Sequence, residues 1–313
     1  MKLGYIRMPN PNSKGIERGA IIDQIKLADT LGLELGYLPG ISPQTLVRTK
    51  KMRTKNLQIG LDATQFGDLA PRELEAAIRT ANDDLSGQLF LGVETGCGHG
   101  SRQSRAQAQT FETMFSQTSR DCESFAILRY PMKPPCPKII GLPTNGSRDE
   151  IALAAARGYL PMTPSWLSTP EVARHWPAIV EGATSSWRRA LPDQWKIARS
   201  IVIHNDRSVI QEYVFGPYSP IRKHYTRLAQ KGLIGMDVDR HMKRVVISGS
   251  KNEVSEQLME LQETVCEIGT LLVVDQHESD LEIARNTMVS LAETVIPLVN
   301  RSEISSAKEL ERT

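Results

Sequence analysis

The stretch Lys138-Ile139-Ile140-Gly141-Leu142-Pro143-Thr144-Asn145-Gly146-Ser147-Arg148-Asp149-Glu150, continued through Ile151 to Met162, decides the fold. Lys138–Leu142 is a short apolar run of strand character. A glycine-containing turn follows, and Ser147 with Glu150 three residues later has the spacing of a capping box that opens a helix. Tyr159–Met162 returns to strand character, so the whole reads as strand, helix, strand, the repeating unit of a parallel sheet.

Working outward, the same alternation spans the chain. Further strands are expected at Lys2–Arg7, Leu33–Leu38, Leu57–Leu61, Gln88–Val93, Lys196–His204 and Gly269–Asp275, which brings the count to eight. Ile21, Ile22, Ile25, Ala28 and Leu31 form one apolar helical stripe that stops at Gly32. Pro71 suits the first position of a helix carrying Leu74, Ala77, Ile78, Ala81 and Leu85, and Thr169-Pro170 reads as an N-cap and N1 pair. Two more capping boxes are expected, Ser250 with Glu253 and Ser279 with Glu282. The helix after the second runs through Ala284, Met288, Leu291 and Val295 and ends around Pro297. Eight strand–helix units with right-handed crossovers close on themselves, which predicts an α/β fold, a (β/α)8 TIM barrel, as one domain over 1–300 with a polar tail over 301–313. The region Ser208–Gln257 is longer than one crossover needs, so extra helices are expected between strands 7 and 8, as a candidate partner surface.

Composition narrows the class. The 313 residues are 40% hydrophobic and 24% charged, with 38 basic and 36 acidic residues and a formal charge of +2. These values suit a globular chain with a sizeable core, and the even spread of charge gives no basic block for nucleic acid. No apolar run approaches a membrane span, and Cys97, Cys122, Cys136 and Cys266 are scattered, so no membrane, disulfide framework or metal site is expected and the cytoplasm is the expected compartment.

Several motifs resemble the luciferase-like flavin monooxygenases, the class of the bacterial luciferases and limonene-type enzymes. Asp84-Leu85-Ser86-Gly87-Gln88-Leu89-Phe90-Leu91-Gly92-Val93 is similar to a helix-to-strand passage of that class. Arg157-Gly158-Tyr159-Leu160-Pro161-Met162-Thr163-Pro164-Ser165-Trp166 resembles its G-L-P-M-x-x-S-W strand end, and Gly269-Thr270-Leu271-Leu272-Val273-Val274-Asp275 its final strand. Phe215-Gly216-Pro217-Tyr218-Ser219-Pro220 and Ala284-Arg285-Asn286-Thr287-Met288 look like limonene-type members. The resemblance implies a luciferase-like barrel and a monooxygenase that oxygenates a small organic substrate after dioxygen adds at the C4a carbon of reduced flavin mononucleotide (FMN). It also implies a separate flavin reductase and a homodimer or a heterodimer with a related barrel.

Active sites of barrels lie at the carboxyl ends of the strands. Thr144, Asn145, Gly146 and Ser147 there could cradle a phosphate with free amides, or Ser147 could simply cap its helix. By resemblance Ser165 touches the flavin and Trp166 packs near its ring; the alternative for Trp166 is a core tryptophan. Thr95 stands where the class has a phosphate-gripping arginine, and Glu94 where luciferase has a cysteine; Arg102, Arg105 and Arg148 are nearby replacements for the lost cation. The class's catalytic histidine after strand 2 has no counterpart in Gly36–Ser42, where the loop is shortened. His99 is the candidate acid or base in its place, with Glu94 as a second, against the plainer readings of an exposed loop histidine and a solvent-facing strand end. His204 and His277 also fall near strand ends, without metal-ligand spacing. Two rival readings stand beside the oxygenase: a degenerate, non-catalytic subunit or flavin-binding partner, and an oxidoreductase using the deazaflavin F420.

Overall fold

The computed structural model describes residues 1–8, 18–42, 54–66, 69, 71–95, 137–265, 268–276 and 280–302. In chain order, β1 (Lys2–Arg7), α1 (Arg18–Thr30), β2 (Leu35–Leu38), β3 (Gln58–Asp62), α2 (Pro71–Asp84) and β4 (Leu89–Glu94) form the first half. The second half continues with β5 (Lys138–Leu142), α3 (Arg148–Ala156), β6 (Leu160–Thr163), α4 (Thr169–Ala173), α5 (His175–Ser185) and β7 (Lys196–Arg199). After it come β8 (Ile201–Ile203), α6 (Arg207–Ile210), α7 (Pro220–Gln230), α8 (Val238–Val245), β9 (Ile247–Gly249), α9 (Lys251–Val265), β10 (Thr270–Asp275) and α10 (Leu281–Ser290).

Eight strands close into a barrel in the order β1-β10-β7-β6-β5-β4-β3-β2, every neighbouring pair parallel. Closure comes from β1 lying along β10, with Lys2 opposite Thr270 and Arg7 opposite Asp275. The period of two along each strand sorts side chains between two cores. Ile6, Leu35, Tyr37, Phe90, Ile140, Ala198, Leu272 and Val274 fill the lumen. Leu3, Ile59, Leu61, Leu91, Ile197 and Leu271 belong to the outer core, with Ile25, Ile78, Ile151 and Leu258 of the helices. Gly32 ends the stripe of α1 at φ +72°, a conformation that costs glycine least.

Three expectations are corrected. The single strand read at Lys196–His204 is two: β7 stays in the barrel, and beyond Ser200 β8 leaves it to pair with β9, Ile201 opposite Ile247. The insert between β7 and β10 is therefore not helical throughout. It carries this two-stranded parallel sheet and its own core of Val202, Ile210, Val214, Ile221, Tyr225, Leu228 and Met242. The last helix does not end at Pro297 but runs to residue 302, with a π turn over Leu291–Val295 just ahead of the proline. A wider turn there accommodates a residue that lacks an N–H and crowds the carbonyl of the preceding turn.

Helix starts also differ in detail. Ser250 and Glu253 form the full reciprocal box, the Ser250 N–H donating to Glu253 Oε2 at 2.7 Å and Glu253 N–H to Ser250 Oγ at 3.4 Å. Asp280, not Ser279, caps α10 by accepting from the amides of Glu282 and Ile283; Ser279 itself lies outside the described residues. The N-cap of α4 is Ser168 rather than Thr169, and its N–H donates to Glu171 Oε2 at 2.7 Å. No described helix is long and apolar enough to cross a membrane.

Candidate active site at the barrel mouth

The luminal phase runs up each strand to the carboxyl rim, so the side chains that line the mouth follow from the register: Met8, Asp62, Glu94, Leu142, Met162, Ser200 and Gln276. Below them Tyr37 lies across the lumen. A Cβ on Gly60 would overlap its ring and a Cβ on Gly92 its hydroxyl, so these two glycines make the room it occupies. Gly92 is the register partner of Asp62, which sets the phenol at the level of that carboxylate. The Tyr37 hydroxyl is buried and has no hydrogen-bond partner. Burial, reinforced by the charges of Asp62 and Glu94, pushes its pKa well above the usual phenol value. Asp62 turns one oxygen to Thr64, accepting from its N–H at 2.9 Å and its hydroxyl at 2.8 Å.

Beside the mouth, the turns after β5 and β6 pack on each other. A Cβ on Gly146, whose φ is +73°, would press on Leu167 and Pro164. Three donors of the Thr144–Ser147 turn are engaged locally. Thr144 Oγ1 donates to Glu150 Oε1, the Asn145 N–H to Glu150 Oε2 at 3.0 Å, and the Ser147 N–H to Asn145 Oδ1 at 2.7 Å. Ser147 Oγ does cap α3, accepting from the Glu150 N–H at 3.3 Å, but the carboxylate goes to the turn and not back to Ser147 as a full box requires. A phosphate bound there would have to displace Glu150.

A buried chain of hydrogen bonds holds this turn in place. Gly146 O can only accept, so His175 Nε2 at 3.2 Å carries the proton, and Nδ1 accepts from the Thr163 hydroxyl at 2.8 Å. Thr163 Oγ1 in turn accepts from Trp195 Nε1 at 2.9 Å. Burial is the main reason His175 is pushed down to about 4, with Arg199 adding to it against the Gly146 contact and Glu171. Neither His175 nor Trp195 was a sequence candidate. A histidine inside a helix carries no signal until its tertiary neighbours are known.

The remaining candidates are dispersed. Thr95 is buried on the outer side, its hydroxyl donating to Leu142 O at 3.3 Å, and a Cβ on Gly141 would touch its methyl group. Ser165 is buried, and its carbonyl accepts from Tyr225 at 3.3 Å. Trp166 bridges the barrel and insert cores; its carbonyl accepts from His241 Nε2 at 2.8 Å, and its indole N–H is buried with no partner. Glu94 ends β4 opposite Leu142, on the luminal phase. His204 sits at the end of β8, away from the rim, accepting from the Asp206 N–H at 3.0 Å, and Arg148 pairs with Glu181 on the surface. His99, Arg102, Arg105 and His277 lie outside the described residues.

A closed ring of eight parallel strands, with its helices packed outside, is the (β/α)8 barrel architecture. Among solved structures, the chain is similar to the oxygenating constituent of 3,6-diketocamphane monooxygenase from the CAM plasmid of Pseudomonas putida, solved in complex with FMN. The two are 18% identical, with a TM-score of 0.73, over 95% of this chain and 98% of that one. Also similar are the coenzyme F420-dependent tetrahydromethanopterin reductase of Methanopyrus kandleri (12% identity, TM-score 0.64, 95% and 98% covered) and EDTA monooxygenase from Chelativorans sp. BNC1 (11%, 0.64, 96% and 94%). The luciferase-like resemblance of the motifs thus has its counterpart in the fold. No protein-family model matches the chain, and no curated protein matches it in sequence.

Proposed function

We propose that this protein is a flavin-dependent oxidoreductase of the oxygenase type, which takes up reduced FMN at the barrel mouth and acts on a small organic molecule with dioxygen. The observation that carries this reading is the mouth itself. Apolar luminal side chains, Met8, Leu142, Met162 and Val274, floor a rim whose polar groups are few and placed on strand ends, which suits a flat tricyclic ring. The Trp166 indole N–H, on the turn that follows β6, is buried without a partner and is a donor of the kind such a ring's carbonyls accept.

When bound, reduced flavin supplies the electrons for oxygen chemistry. The chain's own residues would exclude water with the apolar floor, orient the ring through Ser165 and Trp166, and hold a proton at Glu94, with His99 as the further candidate. Thr144–Ser147 would meet the phosphate end once Glu150 swings aside; Thr95 faces away from the mouth. A flavin reductase and a second barrel subunit are the partners this reading implies.

The engagement of the Thr144 hydroxyl and the Asn145 N–H by Glu150 favours a second reading, a barrel subunit that binds flavin weakly or not at all and serves a catalytic partner. Titrating the full chain with FMN and with F420, followed by flavin fluorescence and by oxygen uptake with an added NADH:flavin reductase, tests both. Quenching by FMN at micromolar concentrations with oxygen uptake is the expected result. Glu150→Gln, which removes a negative charge from the start of α3, is expected to tighten FMN about two- to fivefold. Absence of quenching by either flavin would overturn the first reading in favour of the second, and response to F420 alone would assign the deazaflavin.

A further inference from the structure

The insert between β7 and β10 is larger than a crossover needs, and two of its side chains reach the turn that follows β6. That turn runs through Ser165 and Trp166 before α4 begins, and among the described residues neither of their carbonyls accepts from a backbone N–H. Both are taken by the insert instead. His241 on α8 donates from Nε2 to Trp166 O at 2.8 Å, and the Tyr225 hydroxyl on α7 donates to Ser165 O at 3.3 Å. Tyr225 is fully buried, and Ser200 Oγ lies 3.4 Å from the same hydroxyl, where the chain leaves the barrel for β8. The two donors belong to one unit: their rings lie 5.9 Å apart, inclined at 48°, and Arg222 on α7 pairs with both carboxylate oxygens of Asp239 on α8.

Resting on the flavin reading of the mouth, in which Ser165 and Trp166 orient the ring, we infer that Tyr225 and His241 are positioning residues through which the insert sets the direction of the Trp166 side chain. The Ser165 carbonyl belongs to the peptide plane before the Trp166 Cα, and the Trp166 carbonyl to the plane after it. A peptide unit is planar, so anchoring both planes fixes the two soft dihedrals of Trp166 and with them the direction in which its side chain leaves the backbone. Packing leaves that direction less determined, because Trp166 is only half-buried between the barrel and insert cores and its indole N–H has no hydrogen bond to hold the ring. A displacement of about 1 Å in a group that orients a reactant costs on the order of a hundredfold in rate, so a support of this kind matters to the site and not only to the fold.

Flavin titration and fluorine NMR of the full chain labelled with 5-fluorotryptophan read this together. The chain has four tryptophans, and Trp166→Phe assigns the Trp166 resonance. Tyr225→Phe, which keeps the ring, and His241→Leu are each expected to shift that resonance and to weaken FMN binding about threefold or more, the range that one hydrogen bond contributes. His241→Gln, which keeps an N–H donor at similar reach, should restore FMN affinity to within about twofold of the parent. Val214→Ala, in the insert core and without a polar group in its side chain, should lower the melting temperature and leave the FMN affinity and the Trp166 resonance in place. FMN bound equally by the parent and both donor-less variants overturns the inference and leaves the flavin reading standing; an equal loss of affinity in Val214→Ala also overturns it, by making the role structural only. If the parent binds no flavin, a Trp166 resonance that moves in both variants supports the positioning role and sinks the flavin reading, whereas an unmoved resonance sinks both.

Discussion

At the residue scale, His175 shows how one side chain ties a loop to a barrel. Its two ring nitrogens join Gly146 O, after β5, to the Thr163 hydroxyl on β6 and through it to Trp195 ahead of β7. The arrangement requires a neutral ring, and burial holds the folded-state pKa at about 4 against 6.5 for the free side chain. A histidine with a lowered pKa binds its proton in the unfolded chain first, so its contribution to stability is complete above pH 6.5 and is lost as pH falls toward 4. The loss expected across that window is about 3 kcal/mol. Urea unfolding at stepped pH should show this fall, with a smaller slope in His175→Phe, whose starting stability is lower because Thr163 and Gly146 lose their partner. A slope unchanged by that substitution would place the acid sensitivity elsewhere, for instance at His224, whose ring Nε2 is buried and whose pKa burial also pushes down to about 4.

At the element scale, local chemistry set the starts of helices more reliably than their partners. Ser250 and Glu253 satisfy each other as their spacing implies, and Ser250→Ala is expected to cost about 1 kcal/mol in equilibrium unfolding, through loss of the cap on α9. The same spacing at Ser147 and Glu150 yields only half a box, because Thr144 and Asn145 offer the carboxylate a nearer pair of donors. Strand ends followed the same division. Lys138–Leu142 was legible to the residue, whereas the apolar continuity of Lys196–His204 concealed the departure of β8 at Ser200, since pairing with three residues of β9 is decided by the distant segment and not by β8 itself.

At the scale of the whole molecule, the barrel is closed at its amino end by a polar plug. Lys196 Nζ reaches Glu34 Oε2 at 3.0 Å, Thr270 Oγ1 at 2.7 Å and Asp193 O at 3.1 Å, joining β7, β10 and the approach to β2. Burial opposes ionisation of Glu34, yet the bond from Thr270 and the charge of Lys196 hold its pKa below the ordinary value. Glu34→Ala strands a buried ammonium and should lower stability at neutral pH by about 3 kcal/mol, measured by urea unfolding; the deficit should shrink as acid protonates Glu34 in the parent chain, because a depressed carboxylate pKa confers stability only above it. The order of strand and helix and the eight-fold count that implies closure were written in the sequence, because periodicity, caps and turn residues act over a few positions. Which rim residues meet was not. Tyr37 beneath Asp62 and Glu94, Glu150 folded into the turn it was expected to cap, Thr95 facing outward and His175 bridging two strands depend on register and on which strands are neighbours around the ring, and those are settled only when the barrel closes and long-range packing is complete.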